Sequence, residues 1–402
     1  YIVSARKYRP ITFASVVGQP SIAATLKSAI QKQHLAHAYL FCGPRGVGKT
    51  TCARIFAKTI NCLSPTLDME ACGTCKSCQS FAEGRSYSIH ELDAASNNSV
   101  EDIRTLIEQV RISPQIGRYS VYIIDEVHML SSAAFNAFFK TLEESPAHAI
   151  FILATTEKHK ILPTIPSRCQ IFDFNRISVE DMVGYLEGIA KNENVSCERE
   201  ALTVIAQKAD GAMRDALSIF DQVVAFCGNE VTYSKAIENL NVLDYDYYFK
   251  LTAAFLSGDY ALALTIFDEV LSRGFEAQHF LLGLSSHFRD LLVCKDEGTI
   301  KLLEVGDSIA DRYKEQSVHC SVKFLFEALA IANSCDVGYK TSSNTRLHVE
   351  LSLMKLAQLM GNFEQIKQEP ISKVSEENEI AIAAEPQVEY KTSSTAKSKL
   401  SQ

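Results

Sequence analysis

The sequence predicts an α/β fold built on a parallel sheet, followed by two all-helical segments. Three observations carry that expectation. A glycine-rich phosphate-binding pattern, Gly43-Pro44-Arg45-Gly46-Val47-Gly48-Lys49-Thr50, sits between an apolar strand-like run and a helix-like run. Further short apolar runs alternate with helical periodicity up to about residue 175. From Ile177 onward the strand signal stops and only helical spacing remains.

Residues 1 to 37 read as an arm and one amphipathic helix, Ser21 to Lys32. Ala38-Tyr39-Leu40-Phe41-Cys42 reads as a buried strand, and Thr51 to Ile60 as the helix after the loop. Strand, loop, helix is the context in which the pattern binds phosphate. Glycines let backbone amides curl round a β-phosphate, and the helix points its positive end at the anion. Lys49 has the length to reach the β- and γ-phosphates, and the Thr50 hydroxyl suits Mg²⁺. The expected ligand is a nucleoside triphosphate, held by residues 43 to 51 with Thr51 opening the helix.

Cys62 and then Cys72, Cys75 and Cys78 follow that helix. Their spacing supplies a tetrahedral thiolate set for Zn²⁺, and four sulfurs leave no open position for catalysis. Ser88 to Leu92 reads as a strand, leading through a loop to a helix from Val100 to Val110 that Asn98 or Ser99 would cap.

Val121-Tyr122-Ile123-Ile124-Asp125-Glu126 is an apolar strand ending in two carboxylates. Asp125 suits the Mg²⁺ shell, and Glu126 suits orienting and deprotonating an attacking water. Paired with the upstream loop, this is a Walker B arrangement. Ala149 to Ala154 is a third apolar run, and its end at Thr155-Thr156 places a polar group near the γ-phosphate or the lytic water. Cys169 to Phe174 reads as a last strand.

Val179 to Lys191, Glu198 to Ala209, Met213 to Phe226 and Tyr233 to Leu240 read as short helices. Arg214 sits in a first helical turn, an unusual place for a cation against the helix dipole. A surface ion pair to Asp210 or Asp215 would also account for it. From about Asp244 to Leu359 the stripes Phe249, Ala253, Leu256 and Leu281, Leu284, Phe288 read as bundle core. Beyond Gly361, Glu, Lys, Ser, Gln and Pro dominate, the composition of a disordered tail.

The 402 residues carry a net charge of −8, so no global positive field advertises nucleic acid. No apolar run approaches the ~18 residues of a membrane span. Tyr1 to Pro10 carries Arg6, Lys7 and Arg9 without an apolar stretch, unlike a secretory leader. Twelve cysteines in that setting point to reduced thiols and a metal, and to a cytoplasmic location.

Taken together, the motifs resemble one family, the gamma/tau subunits of bacterial DNA polymerase III, which are AAA+ clamp-loader ATPases. The resemblance rests on Ala5 to Pro10, Val17-Gly18-Gln19, the phosphate loop and the four-cysteine insertion. It continues through Leu92 to Ser96, Ile124 to Leu130, Lys140 to Glu144, Leu153 to Thr156, Ser167-Arg168-Cys169 and Met213 to Leu217. It covers roughly residues 1 to 225, and fits the later helices by length and pattern only. Tyr8 stands where many relatives have Trp, and Phe138-Phe139 where they often have Leu-Leu.

The resemblance implies a P-loop AAA+ domain over 1–175 with a zinc module at 62–78, an all-α lid over 176–241, an all-α collar over 242–362 and a tail over 363–402. It implies that Arg9, Pro10 and Val17 pack against adenine, that Thr156 is the first sensor and that Arg214 is the second. Arg168 would be a finger acting in trans on a neighbour's ATP. The implied cofactors are ATP, Mg²⁺ and Zn²⁺. The implied partners are the other subunits of a pentameric loader, the sliding clamp, primed-template DNA and the DNA polymerase III core, with no membrane. The implied work is ATP-driven clamp loading in DNA replication, with no polymerisation by the chain itself.

Overall fold

The computed structural model describes residues 2–97 and 100–360. The expected caps Asn98 and Ser99, and the tail beyond Gly361, lie outside the described residues.

The first part runs α1 (Ser4–Lys7), α2 (Pro20–Gln31), β1 (Ala38–Cys42), α3 (Lys49–Ile60), α4 (Lys76–Ala82), β2 (Ile89–Asp93), α5 (Val100–Val110), β3 (Ser120–Asp125), α6 (Ser132–Glu143), β4 (Ala149–Thr155) and β5 (Gln170–Asp173). The five strands form one parallel sheet in the order β2-β3-β4-β1-β5. Parallel strands need helical crossovers, which cover both faces and explain the near-continuous apolar runs. β1 and β4 are buried along their whole length.

Alternation within β1 divides the core. Tyr39 and Phe41 join Phe56 and Phe172 on the face covered by α2 and α3. Leu40 joins Tyr122, Phe138 and Phe151 on the opposite face, with α5 and α6. Burying a side chain such as Phe151 stabilises the fold by about 2–3 kcal/mol. The register sets Cys42 of β1 beside Thr155 of β4, and Asp93 of β2 beside Asp125 of β3. The carboxyl ends of β1, β2, β3 and β4 therefore share one edge, where ligands of such sheets bind.

The helical part continues with α7 (Val179–Glu193), β6 (Ser196–Cys197), α8 (Arg199–Lys208), α9 (Met213–Cys227), β7 (Glu230–Val231) and α10 (Tyr233–Leu240). They close over a core that includes Met182, Leu186, Leu202, Ile205, Phe220 and Val223. The parallel pair β6–β7 corrects the expectation that strands end at Ile177. Two residues per strand are too few to show any period.

Last come α11 (Tyr245–Ser257), α12 (Tyr260–Ser272), α13 (Ala277–Val293), α14 (Asp307–His319), α15 (Val322–Tyr339) and α16 (Thr345–Gln358). Leu281, Leu284 and Phe288 are buried there as expected. The other stripe is misplaced. Ala253 is exposed and Leu256 half-buried, while Tyr248, Leu251, Ala254 and Phe255 are buried with Phe249. The cause is that α12, α13 and α16 all contact α11, so the buried face is broader than a single stripe.

The N-terminal arm ties the two parts together. Tyr185 Oη of α7 donates to Tyr8 O at 2.7 Å, and Ser4 N donates to Asp221 Oδ2 of α9 at 2.7 Å. Among the described residues no helix is long and apolar enough to cross a membrane.

Candidate nucleotide site and cysteine cluster

The turn from β1 to α3 is shaped by its glycines. Gly43 has φ +147°, and a Cβ there would stand 2.4 Å from Phe174 O, so backbone passes where no side chain fits. Gly48 has φ +102° and caps α3, which leaves the first amides of that helix free for an anion.

A cavity of about 850 Å³ opens at this edge of the sheet. Arg45, Gly46, Val47, Gly48, Lys49, Thr50 and Thr51 line it, with Asp125 and Glu126 across from them and Arg9, Pro10 and Val17 on the arm side. Arg214 of α9 forms another wall. Gly43 and Pro44 do not line the cavity. Their carbonyls accept from Lys49 Nζ at 2.8 and 2.7 Å, which holds that ammonium at the mouth of the loop. Burial lowers the Lys49 pKa, opposed by the nearby Glu126 and Asp125 carboxylates.

Thr50 Oγ1 donates to Asp125 Oδ2 at 2.6 Å, so the two expected Mg²⁺ ligands already touch. A hydroxyl beside a carboxylate at a phosphate loop is a donor set that fits a hard divalent cation. Glu126 sits just past β3 in the left-handed region, φ +49°. Its Oε2 accepts from Thr156 N at 3.2 Å and Thr156 Oγ1 at 3.0 Å. Thr156 thus reaches the site through Glu126, from β4 between β3 and β1, and does not itself line the cavity.

Burial, and next the neighbouring Arg54 charge, push the Arg9 pKa down, while Glu91 opposes them. Arg9 Nε donates to Thr51 Oγ1 at 3.1 Å. Asp210 pairs with Arg176, and among the described residues no ion pair is found for Arg214. The surface-pair account of Arg214 therefore fails, and the residue faces the cavity instead. Arg168 lies outside the cavity on an exposed 3-10 turn, Pro166–Arg168. Its Nε and Nη2 donate to Glu143 Oε1 at 3.0 and 2.6 Å.

Sequence reasoning missed Glu91 within β2 and Asp93 at its end, both of which line the cavity. A strand ending in a carboxylate, the signal used for β3, would have found Asp93. It also missed His128, whose Nδ1 lies 3.0 Å from Thr155 Oγ1 and 3.4 Å from Glu126 Oε2.

Cys62, Cys72, Cys75 and Cys78 come together as expected, with all four sulfurs within 4.8 Å of one another. Cys62 follows α3 and Cys75 caps α4. Cys72 N donates to Cys62 Sγ and Cys75 N to Cys72 Sγ, each at 3.3 Å. The amides of Thr74 and Cys75 push the Cys72 thiol down to about 6, towards the thiolate a metal needs. Donor type, number and separation fit a closed tetrahedral zinc site.

Residues 18–178 match the family model described as DNA polymerase III, delta subunit, and residues 181–229 match the clamp loader subunit ATPase lid domain of DNA polymerase III. The chain is 40% identical over 357 residues to the Bacillus subtilis DNA polymerase III subunit tau, covering 88% of this chain and 62% of that protein. It is 42% identical over 282 residues to the Escherichia coli DNA polymerase III subunit tau, covering 70% and 44%. The chain thus spans 62% or less of the length of these relatives. Among solved structures, the Thermotoga maritima RuvB branch migration motor superposes with a TM-score of 0.45 at 20% identity, covering 62% of this chain and 79% of that one. By these sequence matches, the chain belongs to the DNA polymerase III clamp-loader subunit family.

Proposed function

We propose that this chain is an ATP-hydrolysing motor subunit of the bacterial replicative clamp loader, working within the DNA polymerase III holoenzyme. The observation that carries the reading is the Thr50–Asp125 contact beside Glu126, at the mouth of a cavity walled by Arg214.

The β- and γ-phosphates would lie against the loop from Gly43 to Gly48 at the N-terminus of α3. Lys49 would exchange its two carbonyl partners for phosphate oxygens. Adenine would pack against Arg9, Pro10 and Val17. A Mg²⁺ ion, held by Thr50 and Asp125, would neutralise charge on the phosphates. Glu126 would orient the attacking water and take its proton. Thr156 holds Glu126 until the water is in place, and Arg214 reaches the γ-phosphate from the helical lid. Arg168 would reach the ATP of a neighbouring subunit, so turnover would require assembly.

In this reading residues 1–175 form the motor, 176–241 the lid and 242–362 the collar of a hetero-oligomeric pentamer. Cys62, Cys72, Cys75 and Cys78 would hold a structural Zn²⁺. The pentamer would grip and open the sliding clamp with ATP bound and release it on primed DNA after hydrolysis, beside the polymerase core. The chain itself would carry no polymerase site and would work in the cytoplasm.

The test is ATP hydrolysis by the purified chain, alone and then mixed with the clamp, the other loader subunits and primed DNA. A low rate that rises steeply only in the full mixture supports the reading. A high rate alone, or stimulation by branched DNA without a clamp, overturns it.

A further inference from the structure

The loop between Cys62 and Cys72 does more than span two metal ligands. It folds back on itself, with Thr66 N donating to Glu70 O at 2.9 Å and Glu70 N to Thr66 Oγ1 at 3.1 Å. Glu70, which closes that turn two residues before Cys72, is buried, only 9% exposed. Its carboxylate leaves the cysteine module altogether. Oε2 accepts from Phe13 N at 2.9 Å and Oε1 from Ala14 N at 3.0 Å, and Lys27 Nζ of α2 lies 2.7 Å from Oε1. A buried carboxylate is stable only when paired and hydrogen-bonded, and here its two hydrogen bonds go to amides of the N-terminal arm and its ion pair to α2.

Phe13 and Ala14 begin a 3-10 turn, Phe13–Ser15. Arg9 and Pro10 precede that turn, Val16 and Val17 follow it, and all four line the nucleotide cavity. One flank is fixed by the Arg9 bond to Thr51. The middle is fixed by Glu70. The base of the Glu70 loop is closed by the sulfurs of Cys62 and Cys72, so a metal there clips a loop that chain entropy would otherwise open.

We infer that the four-cysteine module sets the adenine-facing wall of the nucleotide site, and that Glu70 is the positioning residue through which it acts. The inference rests on the proposed packing of adenine against Arg9, Pro10 and Val17. A metal on the four sulfurs closes the loop, and the closed loop places the Glu70 carboxylate. That carboxylate then holds Phe13 and Ala14 with the wall residues on either side. The phosphate half of the site, built on β1, α3 and β3, does not pass through this chain of contacts. Metal removal therefore weakens recognition of the base and spares recognition of the phosphates. By linkage, bound ATP also raises the equilibrium affinity for the metal, so a chelator competes less well for it.

The experiment measures binding of ATP and of inorganic tripolyphosphate to the full chain by calorimetry, before and after zinc removal, in wild type, E70A and V17A. Circular dichroism reports folding in each arm. Zinc removal from wild type raises the ATP Kd about tenfold and moves the tripolyphosphate Kd less than about twofold. E70A with zinc in place does the same, and zinc removal from E70A adds nothing further. E70Q, which keeps one acceptor, recovers part of the loss. Where one arm fails to fold, the other decides. V17A checks the reading beneath: unchanged ATP affinity in V17A refutes adenine packing on this wall. Weakened ATP binding in V17A, with none in E70A or after zinc removal, overturns the coupling. Parallel loss of ATP and tripolyphosphate in the zinc-free and E70A arms also overturns it.

Discussion

Replacing Arg168 and its partner Glu143 separates a finger that acts on a neighbour from a surface ion pair. Arg168 makes two donations to Glu143 Oε1, and Nη1 donates to Thr164 O at 2.9 Å. The side chains of Arg168 and Glu143 are 38% and 42% exposed. At that exposure, solvent screening holds such a pair to about 0–1 kcal/mol. Breaking it therefore shifts the population of the swung-out arginine by at most about fivefold. An arginine on transferring phosphate contributes far more, roughly a thousandfold or greater in rate.

R168A is thus expected to keep its melting temperature and ATP affinity and to lose about a thousandfold in hydrolysis by the full assembly. E143A is expected to change that rate by about fivefold or less. The assay is single-turnover hydrolysis in the loader with clamp and primed DNA. R168A retaining more than about a tenth of the rate refutes the finger role. E143A altering the rate by about fiftyfold shows that the contact is far stronger than its exposure permits.

The remaining predictions concern other parts of the chain. H128A removes the ring beside Glu126 and Thr155, and kcat should fall about tenfold with KM for ATP unchanged in steady-state assays. A rise in KM alone refutes that role. F151A empties a fully buried position between Tyr122 and Phe138, whose ring centroids lie 5.5 and 5.3 Å away. The expected cost is about 3–5 kcal/mol in urea unfolding, and a cost under about 1 kcal/mol refutes the packing argument. His287 is buried between Tyr313 and Gln316 at 2.9 and 3.2 Å, and burial pushes its pKa down to about 3. The unfolded chain binds that proton below about 6.5 and the folded chain does not, so stability falls as pH drops from about 6.5 towards 3. The loss should reach about 2–3 kcal/mol at pH 4.5, and H287Q should flatten the curve in pH-dependent melts.

The phosphate loop, the carboxylate-ended strand and the cysteine cluster were legible because each is a local pattern. Gly43 to Thr50 carries its ligand geometry within one turn, and Cys72 to Cys78 carries three ligands within one knuckle. Strands β1, β3 and β4 were legible because both faces of the sheet are covered there, which leaves apolar runs such as Ala149 to Ala154. Arg9, Pro10, Val17 and Arg168 were reached through resemblance, since nothing in their neighbours demands a role. Arg214 stood out by its place in a first helical turn but took its role from resemblance.

What only the tertiary structure decided lies in contacts between distant segments. Glu70 meets Phe13 and Ala14 across 57 and 56 positions, and Thr156 meets Glu126 across 30. Neither pair shows a period or a spacing, because the partners sit on loops whose approach is set by packing elsewhere. The same holds for α11, where three neighbouring helices fixed which side of Phe249 was buried. Local propensity determines which elements form and which chemical groups they bear. The packing of the whole chain determines which of those groups meet, because that depends on apolar area buried far from the groups themselves.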